Sequence, residues 1–119
     1  MPKTTFWVYL MLLIIVASPW CLKETFNLNM NVDKVDYSKD GTYIVVTSIA
    51  SNKANVYDIA TLTLQFTYTP ASGGAQVSRF SRNDGHLAVG KDNGYVDLFT
   101  VVLVPFSATF VDTYEPLTG

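Results

Sequence analysis

The residues whose types could do chemistry gather around one short stretch. The single histidine, His86, closely follows Ser78, Ser81 and Asp84, and hydroxyl, carboxylate and imidazole are the parts of a nucleophilic triad. Such a triad draws its members from separate elements that converge in a cleft. Ser81, Asp84 and His86 instead bracket one turn, so the pattern predicts no catalytic residue. Asp33, Asp36, Asp40 and Asp84 offer hard oxygen donors for a cation such as calcium. They lack the one-three-five spacing and closing Glu of a calcium loop, and they read as turn formers and solvent-facing strand residues. Gly73-Gly74 reads as a loop, because no helix follows whose N-terminus could hold a phosphate. The expectation is a chain with no catalytic, metal or cofactor site, and so not an enzyme.

The elements that position these residues are strands. Residues 76–99 contain three short apolar runs separated by Asn83-Asp84-Gly85 and Asp92-Asn93-Gly94. Asn, Asp and Gly tolerate the positive φ of tight hairpins, so the stretch predicts a β-meander. A weaker copy lies upstream. Residues 25–32 alternate loosely and predict a strand; Val35-Asp36-Tyr37 ends in Ser38-Lys39-Asp40-Gly41; Tyr43 opens a β-branched run; Asn55-Val56-Tyr57-Asp58 and residues 62–69 follow. Residues 70–74 form a linker of turn residues. The apolar run after Phe99 should stop at Pro105, which cannot donate to a ladder, and residues 106–111 make one more strand. Tyr43, Tyr57, Tyr95 and Phe99 read as packing residues.

Composition points the same way. The chain has 119 residues, 49% of them hydrophobic and only 15% charged, which suits one small β-rich domain better than solvent-facing helices. A net charge of −2, with Arg79 and Arg82 as the only basic pair, gives no patch to neutralise a phosphate backbone. Nucleic acid is therefore not an expected partner. Cys21 is the sole cysteine, so no internal disulfide can form.

The N-terminal residues 1–22 form a different kind of segment. Lys3 precedes an uncharged run over residues 4–22, long enough as an apolar helix to cross a bilayer with Trp7, Tyr9 and Trp20 at its interfaces. A signal peptide cut after Ala17 would place bulky Ile15 at the minus-three position, so a retained signal anchor competes with cleavage. Either way the expectation is membrane attachment or entry to the secretory pathway, with a cytoplasmic protein as the alternative.

Repetition carries the fold assignment. Tyr37-Ser38 and Phe80-Ser81 lie 43 residues apart, Asp40-Gly41 and Asp84-Gly85 lie 44 apart, and Val56 and Leu98 lie 42 apart. Four strands per unit at this period fall in the range of propeller blades. The pattern apolar-x-aromatic-Ser-x-Asp-Gly, then a strand, a turn and a strand closing in Val-Tyr-Asp, resembles the WD40 repeat family. In place of the family's closing Trp-Asp stand Tyr57-Asp58 and Phe99-Thr100, and Asn52 and Asn93 stand where a turn Asp is common.

The resemblance implies an all-β fold of two four-stranded antiparallel meanders, an incomplete WD40-like β-propeller, preceded by the apolar helix. Blade one would cover about residues 30–69 and blade two about 75–112, within a repeat region of 23–119. It also implies a non-catalytic protein-binding scaffold. A secreted or anchored propeller enzyme of lactonase-like type is the alternative. Propellers close with about four to eight blades, so two blades predict a fragment or truncated product, or a chain completed by self-association or by the missing blades of a protein partner.

Overall fold

The computed structural model describes residues 25–116, and the apolar segment over residues 4–22 lies outside them. Eight strands follow in order: β1 Lys34–Tyr37, β2 Tyr43–Ser48, β3 Lys53–Asp58, β4 Leu64–Tyr68, β5 Ala75–Phe80, β6 His86–Lys91, β7 Val96–Leu103 and β8 Phe106–Tyr114. They form two four-stranded sheets, β1-β2-β3-β4 and β5-β6-β7-β8, every neighbouring pair antiparallel. Each sheet is a meander whose strands pair in chain order, the arrangement the two repeats predict. No helix among the described residues is long and apolar enough to cross a membrane.

The two turns that open the meanders are built alike. The amides of Gly41 and Asp84 donate to the carbonyls of Ser38 and Ser81, and those of Ser38 and Ser81 donate to Tyr43 and His86. The Ser38 and Ser81 hydroxyls donate to Asp40 and Asn83. Gly41 (φ 77°) and Asp84 (φ 59°) both occupy the left-handed region. Asp40 thus superposes on Asn83, and Gly41 on Asp84, at a constant offset of 43. This corrects the 44-residue pairing of the two Asp-Gly dipeptides. The turn demands a positive φ at a given place, and Gly in one copy and Asp in the other meet it. Val56/Tyr57 and Leu98/Phe99, 42 residues apart, each mark a bulge against the outermost strand of their sheet, so the second half of the unit repeats as expected.

Two further expectations change. Residues 25–32 form no strand, because Asn29 takes φ 55° and its amide turns back onto the Asn27 side chain; a strand cannot pass through that bend. Tyr37 is not a core residue: it is 60% exposed, whereas Phe80, its counterpart, packs against the core. Both sit at the same place in their sheets, Tyr37 opposite Ile44 and Phe80 opposite Leu87. Among the described residues Phe80 has a sheet in front of it, and Tyr37 has none.

The core lies between the two sheets. Tyr43, Val45, Ala54 and Val56 from the first meet Ala75, Leu87, Val89, Phe99 and Val101 from the second. Phe99 is its aromatic centre, edge-on to Tyr68 at 4.7 Å, Phe66 at 5.5 Å and Phe110 at 5.8 Å. Burying each Val or Leu here contributes about 1.5–3 kcal/mol. That gain exists only because the sheets face one another.

Candidate functional site

Polar tethers fix the angle between the sheets. Asp36, expected to face solvent, points across the junction and accepts from the Phe80 amide at 2.8 Å. The buried Asp84 carboxylate reaches back and accepts the Lys39 amide with both oxygens, at 2.8 and 2.9 Å. Asn52 accepts from the Ala75 amide at 2.8 Å, and the buried hydroxyls of Thr47 and Ser78 bond to each other.

The residues weighed for chemistry are thereby accounted for. Ser78 is buried in the junction; the Ser81 hydroxyl donates to Asn83 and accepts from the His86 amide; the Asp84 carboxylate holds Lys39; and the His86 side chain is exposed. They do not converge. Asp33 caps the Ile49 amide and Asp40 the Thr42 amide, so the four aspartates serve four different backbone amides. Among the described residues no group of three or more His, Cys, Asp or Glu side chains comes together as a metal site.

A buried polar cluster among the described residues was not singled out by sequence. Asp97, on β7, carries a carboxylate only 1% exposed that meets the Lys91 ammonium, itself 6% exposed, at 3.2 Å. It also accepts from the Tyr68 hydroxyl at 2.5 Å and the Thr113 hydroxyl at 2.7 Å. Burial by itself raises the Asp97 pKa, but hydrogen bonds from Tyr68, Thr113 and Lys91, with the lysine's charge, outweigh it, and the carboxyl titrates below its ordinary 3.8. Tyr68 is pushed well above the phenolic range, first by burial and then by its bond to the Asp97 carboxylate. A signal was present: Asp97 falls 42 residues after Asn55, so both repeats carry a polar residue inside a strand where an apolar one would be ordinary.

The cluster forms the floor of an open cleft of about 400 Å³ at the junction, lined by Tyr68, Ala71 and Ser72 on one side and by Lys91, Asn93, Tyr95, Asp97, Phe110 and Thr113 on the other. The Lys91 ammonium lies 5.7 Å from the centre of the Tyr95 ring. The linker shapes the rim. Gly74 donates to the Asp92 carboxylate at 2.7 Å, and Gly73, at φ 79°, approaches Asn93 so closely that a Cβ would stand 2.6 Å from its amide. Gly73 occupies the left-handed region that favours glycine, and a side chain there would displace Asn93.

No protein-family profile matches the sequence, and no curated protein matches it. Solved structures do match by fold. The β-propeller domain of Cps50 (Swd1) from Myceliophteria thermophila aligns with 70% of this chain and 28% of its own at a TM-score of 0.59 and 16% identity. The C-terminal WD40 domain of Sif2 aligns with 80% of this chain and 27% of its own at 0.61 and 12% identity. The periplasmic gluconolactonase PpgL of Pseudomonas aeruginosa aligns with 82% of this chain and 29% of its own at 0.62 and 18% identity. The chain spans under a third of the length of each. Its two sheets are two blades of a propeller-like fold.

Proposed function

We propose that this chain is a non-catalytic protein-binding module of propeller type, with the cleft between its blades as the recognition surface and residues 4–22 placing it at a membrane or in the secretory pathway. One observation carries the reading. The ionisable groups on the cleft floor are engaged with one another, Tyr68 bonding across the junction to Asp97 and Lys91 pairing with Asp97 within blade two, with Asp97 displaced towards lower and Tyr68 towards higher pKa. A general acid or base works best with a pKa near the operating pH, and these two are driven away from neutrality. The rim offers Tyr95, Phe110, Asn93 and Ser72, and aromatic side chains beside amides and hydroxyls suit contact with another polypeptide.

A photoreactive amino acid in place of Tyr95, in the full chain made in cells, tests this. The expected result is a discrete cross-linked protein partner that is lost when Phe110→Glu is added. The second reading, a lactonase-like hydrolase, draws on the likeness to a gluconolactonase. Turnover of a simple lactone by the full chain, abolished by Lys91→Met, would replace the first reading with it.

A further inference from the structure

Three turns in the two blades are built to one pattern. The turns at residues 38–41, 81–84 and 91–94 each close with the fourth amide donating to the first carbonyl, at 3.0, 2.9 and 3.1 Å. In each, the third side chain accepts from the second amide beyond it: Asp40 from Thr42, Asn83 from Gly85 and Asn93 from Tyr95. The fourth residue, Gly41, Asp84 or Gly94, takes a positive φ of 77°, 59° or 87°. Asp40, Asn83 and Asn93 are all exposed. The turns share a shape and differ in chemistry, being Asp-Gly, Asn-Asp and Asn-Gly at their last two positions.

That contrast singles out Asn93. The bond from the Tyr95 amide to its Oδ1 folds the side chain back along the chain towards the Gly94 peptide nitrogen, and the donated hydrogen draws electrons from the side-chain amide carbon. Gly94 has no Cβ to hinder ring closure. At Asn83 the following residue is Asp84, whose Cβ crowds the corresponding nitrogen. The Asp84 carboxylate is tied to the Lys39 amide across the junction, so closing a ring there would disturb the contact between the blades. At Asp40 the group is already a carboxyl, held below its ordinary 3.8 first by the Thr42 amide and then by the Ser38 hydroxyl, and an ionised carboxylate is a poor electrophile. The Asp40 turn also shows that a carboxylate fits this shape in place of an amide.

We infer that Asn93 is a self-modification site, at which the rim of the cleft converts from amide to acid. The Gly94 nitrogen attacks the Asn93 Cγ, the Cγ–Nδ2 bond breaks, and Nδ2 leaves as ammonia with the proton of the Gly94 amide. Water then opens the cyclic imide at either carbonyl and gives aspartate or isoaspartate, so water is the one co-reactant. Aspartate keeps the turn, as Asp40 does, whereas isoaspartate lengthens the backbone between β6 and β7 by a methylene. Either product adds a negative charge next to Asp92, which holds the Gly74 amide at 2.7 Å, on a cleft whose Lys91 ammonium is already paired with Asp97. The consequence rests on the reading of the cleft as a polypeptide-binding surface: covering the new charge costs more than covering the amide, so conversion lowers capture of the partner.

Ageing the purified full chain in mild detergent at mildly alkaline pH, with isoelectric focusing and peptide mass mapping, tests the modification without any partner. The expected result is a species one charge more acidic, carrying aspartate and isoaspartate at position 93 with Asn83 intact. That species should be lost in Asn93→Gln, whose side chain is a carbon too long for the five-membered ring. Asn93 surviving as long as Asn83, or an acidic species undiminished in Asn93→Gln, would overturn the inference. The consequence is read by photo-cross-linking from position 95 with and without Asn93→Asp, where the yield of the cross-linked partner should fall roughly tenfold. An equal yield would overturn the regulatory effect. No cross-linked partner in the parent chain would refute the protein-binding reading instead, and the modification at Asn93 would still be decided by mass alone.

Discussion

Replacing Asp97 with alanine should be the most damaging single change to a polar side chain in the two blades. The substitution removes the acceptor for Tyr68 and Thr113 and leaves the Lys91 ammonium, 6% exposed, without its counter-charge. Breaking a buried pair by deleting one partner costs about 3–5 kcal/mol, because the surviving charge stays buried and uncompensated. Single domains are stable by only about 5–15 kcal/mol, so this is a large share. In a domain of this size about 1 kcal/mol moves the midpoint by roughly 4–8 °C, and a fall of at least about 12 °C is expected. Tyr68→Phe alone should cost about 1–2 kcal/mol. In the Asp97→Ala background it should cost almost nothing, since the hydroxyl then has no carboxylate to bond; the resulting coupling of about 1–2 kcal/mol lies in the range expected of groups in one network. Urea unfolding followed by near-ultraviolet circular dichroism reads both numbers. A loss below about 1 kcal/mol for Asp97→Ala, or strict additivity with Tyr68→Phe, would refute the idea that this cluster locks the blades together.

Four other substitutions separate the blades' parts. Tyr37→Ala should change stability by less than about 0.5 kcal/mol because the ring is exposed, whereas Phe80→Ala, half-buried at the matching place, should cost about 2 kcal/mol; parallel melts decide. Asp84→Ala should lower stability by about 1–3 kcal/mol through loss of the Lys39 tether and also strain the turn at φ 59°. Asp84→Gly should cost less than Asp84→Ala, as glycine relieves that strain.

Stability should also depend on pH in two separate windows. The Asp97 and Asp40 carboxyls titrate below 3.8, Asp40 held down by the Thr42 amide and then the Ser38 hydroxyl. Their contribution is complete above the unfolded value and is lost as pH falls through the lower folded ones. Tyr68 and Tyr43 titrate above 10.0, both chiefly through burial, so their contribution is complete below that value and is lost as pH rises beyond it. Melting midpoints should therefore hold steady between these limits and fall outside them.

Local rules were legible in the chain. The Asn83-Asp84-Gly85 and Asp92-Asn93-Gly94 turns, the β-branched run at Tyr43 and the stop at Pro105 concern neighbours in sequence, and turn geometry and strand pairing depend on little else. The repeat was legible for the same reason, since two copies of a unit place the same residue types at the same steps. What sequence could not assign was which side of each strand another sheet would cover. In Val96-Asp97-Leu98-Phe99 both sides of β7 carry apolar groups, and alternation cannot say whether Asp97 meets water or a lysine. Only the docking of blade one on blade two decided that Asp97 is buried against Tyr68 and Lys91, that Asp36 and Asp84 are tethers across the junction, and that Phe80 packs while Tyr37 is exposed. These outcomes depend on contacts between residues far apart in the chain, and such contacts exist only after the two sheets have come together.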